Sequence, residues 1–114
     1  MSQMKIKAIS DALVDLGVPV YHYFAPSAVK VPYIVWYEDG EASAFDASNH
    51  KVEQAIRGYV DYFTKTEFDP VFDSIQETLN GIENLSFTYE STIYGDPTRD
   101  DDNVIHHTWS WGLR

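Results

Sequence analysis

The residues best suited to chemistry are Asp100-Asp101-Asp102, followed closely by His106 and His107. Carboxylates and imidazoles are the ligands of hard and borderline metal ions, so a small metal-dependent hydrolase is one reading. The spacing argues against it. Adjacent His106 and His107 point to opposite faces of a strand, and at most one of them joins the aspartates. Oxygen-ligand calcium loops alternate their ligands and carry glycine, and this stretch does neither. A solvated hairpin tip is the better reading, in a position where a loop makes contacts. His22 and His50 have no acidic partner at a telling sequence distance, and Ser27, Ser43 and Ser48 lack the Gly-x-Ser-x-Gly elbow. No glycine-rich phosphate loop or dinucleotide fingerprint occurs. Trp36, Trp109 and Trp111 could stack bases or sugars, but a nucleic-acid platform interleaves Arg and Lys, and the last strand has neither before Arg114. The expectation is a protein with no catalytic residues, no cofactor and no metal, whose tryptophans serve packing or an interface.

The elements that position these residues follow from periodicity. Met4 to Leu16 reads as an amphipathic helix with Ile6, Ile9, Leu13 and Leu16 on one stripe, ended by Gly17 and Pro19. Val18 to Phe24 reads as a strand with Tyr21 and Tyr23 on one face and Val20, His22 and Phe24 on the other. Pro32-Tyr33-Ile34-Val35-Trp36-Tyr37 is the densest run of strand formers, and neither of its faces is polar. It therefore needs cover on both sides: a helix layer on one, and a second sheet, helix or neighbouring subunit on the other. Glu38-Asp39-Gly40-Glu41 reads as a turn, and Ala42 to Asn49 as a mobile loop or ragged edge.

Lys51 to Thr64 is the longest strand candidate, with Gly58 marking a bulge or the close approach of another backbone. Arg57 and Asp61 share one of its faces four residues apart and are expected to pair across strands or meet water. Phe68-Asp69-Pro70 starts a second helix, with Asp69 as cap, Pro70 at the first position and Thr66 as a possible earlier cap. Phe72, Ile75 and Leu79 form its stripe, and Asn80-Gly81 is expected to end it in left-handed fashion. Leu85 to Thr92 and Val104 to Trp111 alternate cleanly and flank a loop from Gly95 to Asn103, so they read as a hairpin. The order predicts a single α+β domain over 1–114: a mainly antiparallel sheet of four or five strands with two helices packed on it.

Composition narrows the partners. Eighteen acidic against eight basic residues give a formal charge of −10, which disfavours gripping nucleic acid through phosphate neutralisation. It is compatible with letting DNA slide past, because like charge prevents sticking. Cysteine is absent, so there are no disulfides and no thiolate sites. The start MSQMKIKAIS has no signal-peptide core, and no stretch approaches the roughly 18 apolar residues of a membrane helix. These features predict a soluble protein made in a cytoplasm. Eight tyrosines among 15% aromatic residues suit half-buried sheet faces and protein interfaces.

The whole pattern resembles one family. A helix ending Leu16-Gly17-Val18-Pro19-Val20-Tyr21 leads to Pro32-Tyr33-Ile34-Val35-Trp36. The long strand Ile56 to Thr64, the helix Phe68 to Leu79 and an aromatic hairpin follow. This is similar to the tail-terminator and tail-completion proteins of long-tailed bacteriophages and prophages, also described as minor capsid or head–tail joining proteins. The resemblance implies a non-enzymatic virion assembly protein working as a ring, commonly of six subunits, at the head-proximal end of the tail. Its implied partners are further copies of itself, the tail tube protein and a head-completion or connector protein, with DNA passing through unbound and no membrane involved. Its implied place is the virion neck, reached from the host cytoplasm. No catalytic signature comes with it. The residues expected at contacts are Trp36 and Tyr37 on the central strand and Asp96, Arg99, Asp100, Asp101 and Asp102 around the hairpin tip.

Overall fold

A computed structural model describes the backbone of residues 3–45, 51–96 and 101–114, and the side chains of 5–41, 55–94 and 103–114. Helix α1 (Lys7–Leu13) is flanked by 3-10 turns at Gln3–Ile6 and Val14–Leu16. Strands β1 (Val20–His22), β2 (Tyr33–Phe45) and β3 (Lys51–Thr64) follow, then α2 (Pro70–Asn80), β4 (Leu85–Asp96) and β5 (Asp101–Leu113). The five strands form one mixed, mostly antiparallel sheet in the order β1-β2-β3-β5-β4.

Both helical stripes pack on the same face. Ile6, Ile9 and Leu13 from the first and Ile75 and Leu79 from the second join Ile34, Trp36, Val60, Tyr62, Trp109 and Trp111 in one buried cluster. Cross-strand register explains how three indoles fit. One rung reads Trp36–Val60–Trp109, placing the small side chain between two large ones. The next reads Glu38–Gly58–Trp111. A methyl on Gly58 would lie 2.0 Å from the Tyr37 carbonyl oxygen and 2.6 Å from Cζ2 of Trp111. Gly58 is therefore the close approach expected of it: the indole and the neighbouring strand occupy the space a side chain would need. Trp109 also donates its Nε1–H to Gln76 on α2 at 3.2 Å, tying sheet to helix.

Among the described residues, no helix covers the opposite face. Tyr33 and Val35 are nonetheless buried, at 4% and 7% exposure, and neighbouring rings of the same sheet lie across part of that face. Tyr33 stacks on Phe63 with centroids 4.7 Å apart, Phe63 stacks on His106 at 4.2 Å, and Tyr21 meets Tyr33 edge-on at 6.3 Å. Tyr33, Phe63 and His106 occupy one rung, so this is a ladder of directly opposed side chains. Within the chain, one of the two layers expected over the central strand is a row of aromatic rings stacked face to face across the strands.

Several local expectations are overturned. β1 is shorter than the strand expected over Val18 to Phe24, and it pairs with β2 in parallel, because Tyr23 to Pro32 is long enough to carry the chain back to the same end of the sheet. Tyr23 does not continue the alternation of β1. It turns to φ 76° and stacks on His22 at 3.9 Å. Asp39-Gly40 reverses nothing: Gly40, at φ 156°, sits at a bulge within β2, and the strand runs on through the supposed loop to Phe45. β4 and β5 likewise extend to Asp96 and back from Asp101, so both flanks of the loop expected from Gly95 to Asn103 are strand, with Asp96 opposite Asp101; residues 97–100 lie outside the described residues. Gly81 caps α2 at φ −86°, in the right-handed region; the left-handed residue is Asn84, at φ 64°. Gly17, at φ 81°, ends the first helical segment as expected.

These extensions shape the molecule. The last rung between β3 and β5 is Ile56–Leu113 at one end and Thr64–Ile105 at the other. Beyond the first, β2 and β3 continue alone; beyond the second, β4 and β5 do. The two hairpins therefore overrun the sheet at opposite ends, in a domain measuring 50 × 27 × 25 Å.

Candidate functional site

The residues expected at contacts do not form one site. Trp36 is 3% exposed within the core and stacks on His22 at 4.0 Å. Tyr37, half-buried, lies on the opposite face against Tyr59 at 5.6 Å. Asp96, Asp101 and Asp102 belong to the outer ends of β4 and β5, but their side chains, and all of Arg99 and Asp100, lie outside the described residues, as does His50. The two adjacent histidines point apart as their strand spacing predicts. His106 Nε2 is 3.0 Å from Asp61 Oδ1, which also accepts a hydrogen bond from Thr108 at 2.9 Å. Asp61 thus pairs across strands, as does Arg57, whose guanidinium lies 3.4 Å from Asp39. Among the described residues, no three His, Asp or Glu side chains gather closely enough to hold a metal ion.

His107 instead faces the helix side, where it joins a polar cluster around Asp69. Asp69 is the N-cap of α2: its Oδ1 accepts the Val71 N–H at 2.9 Å. Its Oδ2 accepts the hydroxyls of Tyr62 at 2.6 Å and Thr64 at 2.7 Å. Thr66, the alternative cap, gives its N–H to Thr64 and does not start the helix. Burial pushes the Asp69 carboxyl upward, but hydrogen bonds from Tyr62, Val71 and Thr64 outweigh it, and its pKa falls below the ordinary value. Tyr62 is pushed far up by burial and by its bond to that carboxylate. His107 lies with Nδ1 3.1 Å from both the Tyr89 hydroxyl and Thr92 Oγ1. Burial, and then His106, lower its pKa against the pull of Asp69, which favours the neutral imidazole.

Above this cluster opens a groove of about 560 Å³ between the β3–α2 connection, the first turn of α2 and the β4–β5 hairpin. Phe72 and Tyr89 meet in it edge to face at 5.2 Å. Phe68 and Tyr94 stand on its rim, 94% and 78% exposed. A smaller concavity of about 310 Å³ lies where α1 meets the sheet edge, lined by Ser10, His22, Tyr23, Trp36 and Glu38. There His22 is sandwiched between Tyr23 and Trp36, with Nε2 2.8 Å from Glu38 Oε1. The sequence reading missed this carboxylate, which is sixteen residues from His22. The contact depends on parallel pairing of β1 and β2, which no local pattern announces. The groove, too, had only faint signals: Phe68 just before a helix cap, and Tyr89, Thr92 and Tyr94 on the strand after it.

Comparison with known protein families, and with characterised proteins, gives no match. None of the described helices is long and apolar enough to cross a membrane. The fold and its surfaces are therefore what bear on function.

Proposed function

We propose that this is a non-enzymatic assembly protein of a long-tailed phage or prophage. In this reading it caps the tail tube and joins it to the head as an oligomeric ring, commonly of six subunits, through which DNA passes without specific binding. The observation that carries the reading is the one-sided cover of the sheet in an elongated domain whose two hairpins overrun it at opposite ends. Such a subunit offers a broad sheet face and two arms to neighbours, as a closed ring requires. The hairpin whose sequence carries Asp96, Asp100, Asp101 and Asp102 is an acidic arm, suited to a surface that DNA must pass without sticking. Partners on the two sides of such a ring are the tail tube protein and a head-completion or connector protein, in the virion neck.

The test is sedimentation and native mass measurement of the chain alone and with purified tail tube protein, at low and high salt. The expected result is a ring of six 13.0-kDa chains, alone or nucleated by tube ends, with arrest of tube growth. A chain that stays monomeric with tube ends present and leaves tube length unchanged refutes the reading.

A further inference from the structure

We propose that the groove beside the N-terminus of α2 is a docking site for an arginine or lysine side chain of a partner protein, held between aromatic rings and carboxylates. The site lies on the helix-covered side of the sheet and shares only the β4–β5 hairpin with the assembly reading above, on which it does not rest. Phe68 is the first observation. It is 94% exposed and held at φ 54°, a conformation that costs energy for a bulky residue. An apolar residue just before a helix cap ordinarily packs on the fourth helical residue. Here that residue is Asp73, so the fold gives the ring no staple partner. Rings of Phe72 and Tyr89 lie in the groove, and Tyr94 stands on its rim.

Charge identifies the occupant. Glu67, Asp69 and Asp73 line the groove, and among the described residues no Lys or Arg does. The positive end of α2 would repel a cation, but the Asp69 carboxylate caps it through the Val71 N–H and Asp73 adds negative charge in the first turn. Burial of His107 favours its neutral form, which limits the opposing charge. Aromatic ring faces in a carboxylate-lined groove bind a cationic side chain through the ring quadrupoles, and the carboxylates bind it through charge. A second copy is the poorer occupant, since this chain carries eight basic residues against eighteen acidic ones.

The experiment follows amide and aromatic NMR signals of the full chain titrated with a Gly-Ser peptide bearing two arginines. Parallel titrations use the citrulline peptide, which keeps the shape without the charge, and an aspartate peptide. The arginine peptide should give saturable shifts at Phe68, Phe72, Tyr89 and Tyr94, and the citrulline peptide should bind at least about fivefold more weakly. Phe68→Asn, which tolerates the left-handed backbone, should weaken binding about fivefold while leaving the rest of the spectrum unchanged. Asp73→Asn should weaken it too and reduce its salt dependence. Equal binding of arginine and citrulline peptides, preferential binding of the aspartate peptide, shifts mapping elsewhere, or no saturable shift overturns the proposal. So does movement of the same signals with protein concentration alone, which would give the groove to a second copy.

Discussion

Substituting Gly58 by alanine should be among the most damaging single-methyl additions to this chain. The new Cβ would lie 2.0 Å from the Tyr37 carbonyl oxygen, 2.6 Å from Trp111 Cζ2 and 2.8 Å from Glu38 Cα. A carbon ordinarily approaches a carbonyl oxygen to about 3.3 Å, so β2 and β3 must separate by more than an ångström. A side-chain rotation relieves only the indole contact. Overpacking a core typically costs about 1–3 kcal/mol. Loss of ladder bonding at the Glu38–Gly58 rung adds about 1 kcal/mol. Reduced entropy of the unfolded chain returns about 0.5 kcal/mol. The net loss is about 3 kcal/mol, a large part of the roughly 5–15 kcal/mol that holds a domain together. With a urea slope of about 1.5 kcal/mol per molar, the unfolding midpoint should fall by about 2 M. Adding Trp111→Leu should recover only part of that loss, because the carbonyl contact persists. A Gly58→Ala midpoint within about 0.3 M of wild type, or full recovery in the double variant, would refute the argument from close approach.

Other expectations follow from burial and titration. Trp36→Ala should cost about 3–5 kcal/mol in urea unfolding, since the indole is core and also supports His22. Asp69→Ala removes a helix cap worth about 1 kcal/mol and strands the hydroxyls of buried Tyr62 and Thr64, for a total of about 3 kcal/mol. The folded Asp69 pKa lies below its ordinary 3.8, so the unfolded chain takes up the proton first. Its stabilising contribution is whole above that value and disappears as pH falls through the folded one, and Asp69→Asn should flatten the acid limb of a stability–pH curve. His107 titrates below 6.5 when folded. Acidification from 6.5 toward its folded value should therefore lower stability, and a His107→Gln variant should lose that slope in urea midpoints taken between about pH 7 and pH 5.

Much of this architecture is legible because it depends on near neighbours. The stripe of Ile6, Ile9, Leu13 and Leu16, the Asp69-Pro70 start of α2 and the alternation of β5 are repeats set by backbone geometry, and each faces where its period says. The misreadings occur where pairing partners overrule local preference. Asp39-Gly40 has turn chemistry, yet the ladder with β3 absorbs it as a bulge. Ala42 to Phe45 has little strand propensity of its own and is strand because 51–55 lies beside it. The parallel alignment of β1 was hidden because a connection of that length permits either direction.

The same division applies to the candidate sites. The sequence alone established the α+β class, the acidic composition, the face on which most of the core strand residues lie and the separation of His106 from His107. Only the tertiary structure brought His22 to Glu38, gathered Tyr62, Thr64 and His107 around Asp69, and left Phe68 and Tyr94 exposed on one groove. Side-chain direction follows from a repeat of two or 3.6 residues within one segment. Which segments meet depends on register and loop closure between distant residues, and that is decided by the packing of the whole chain.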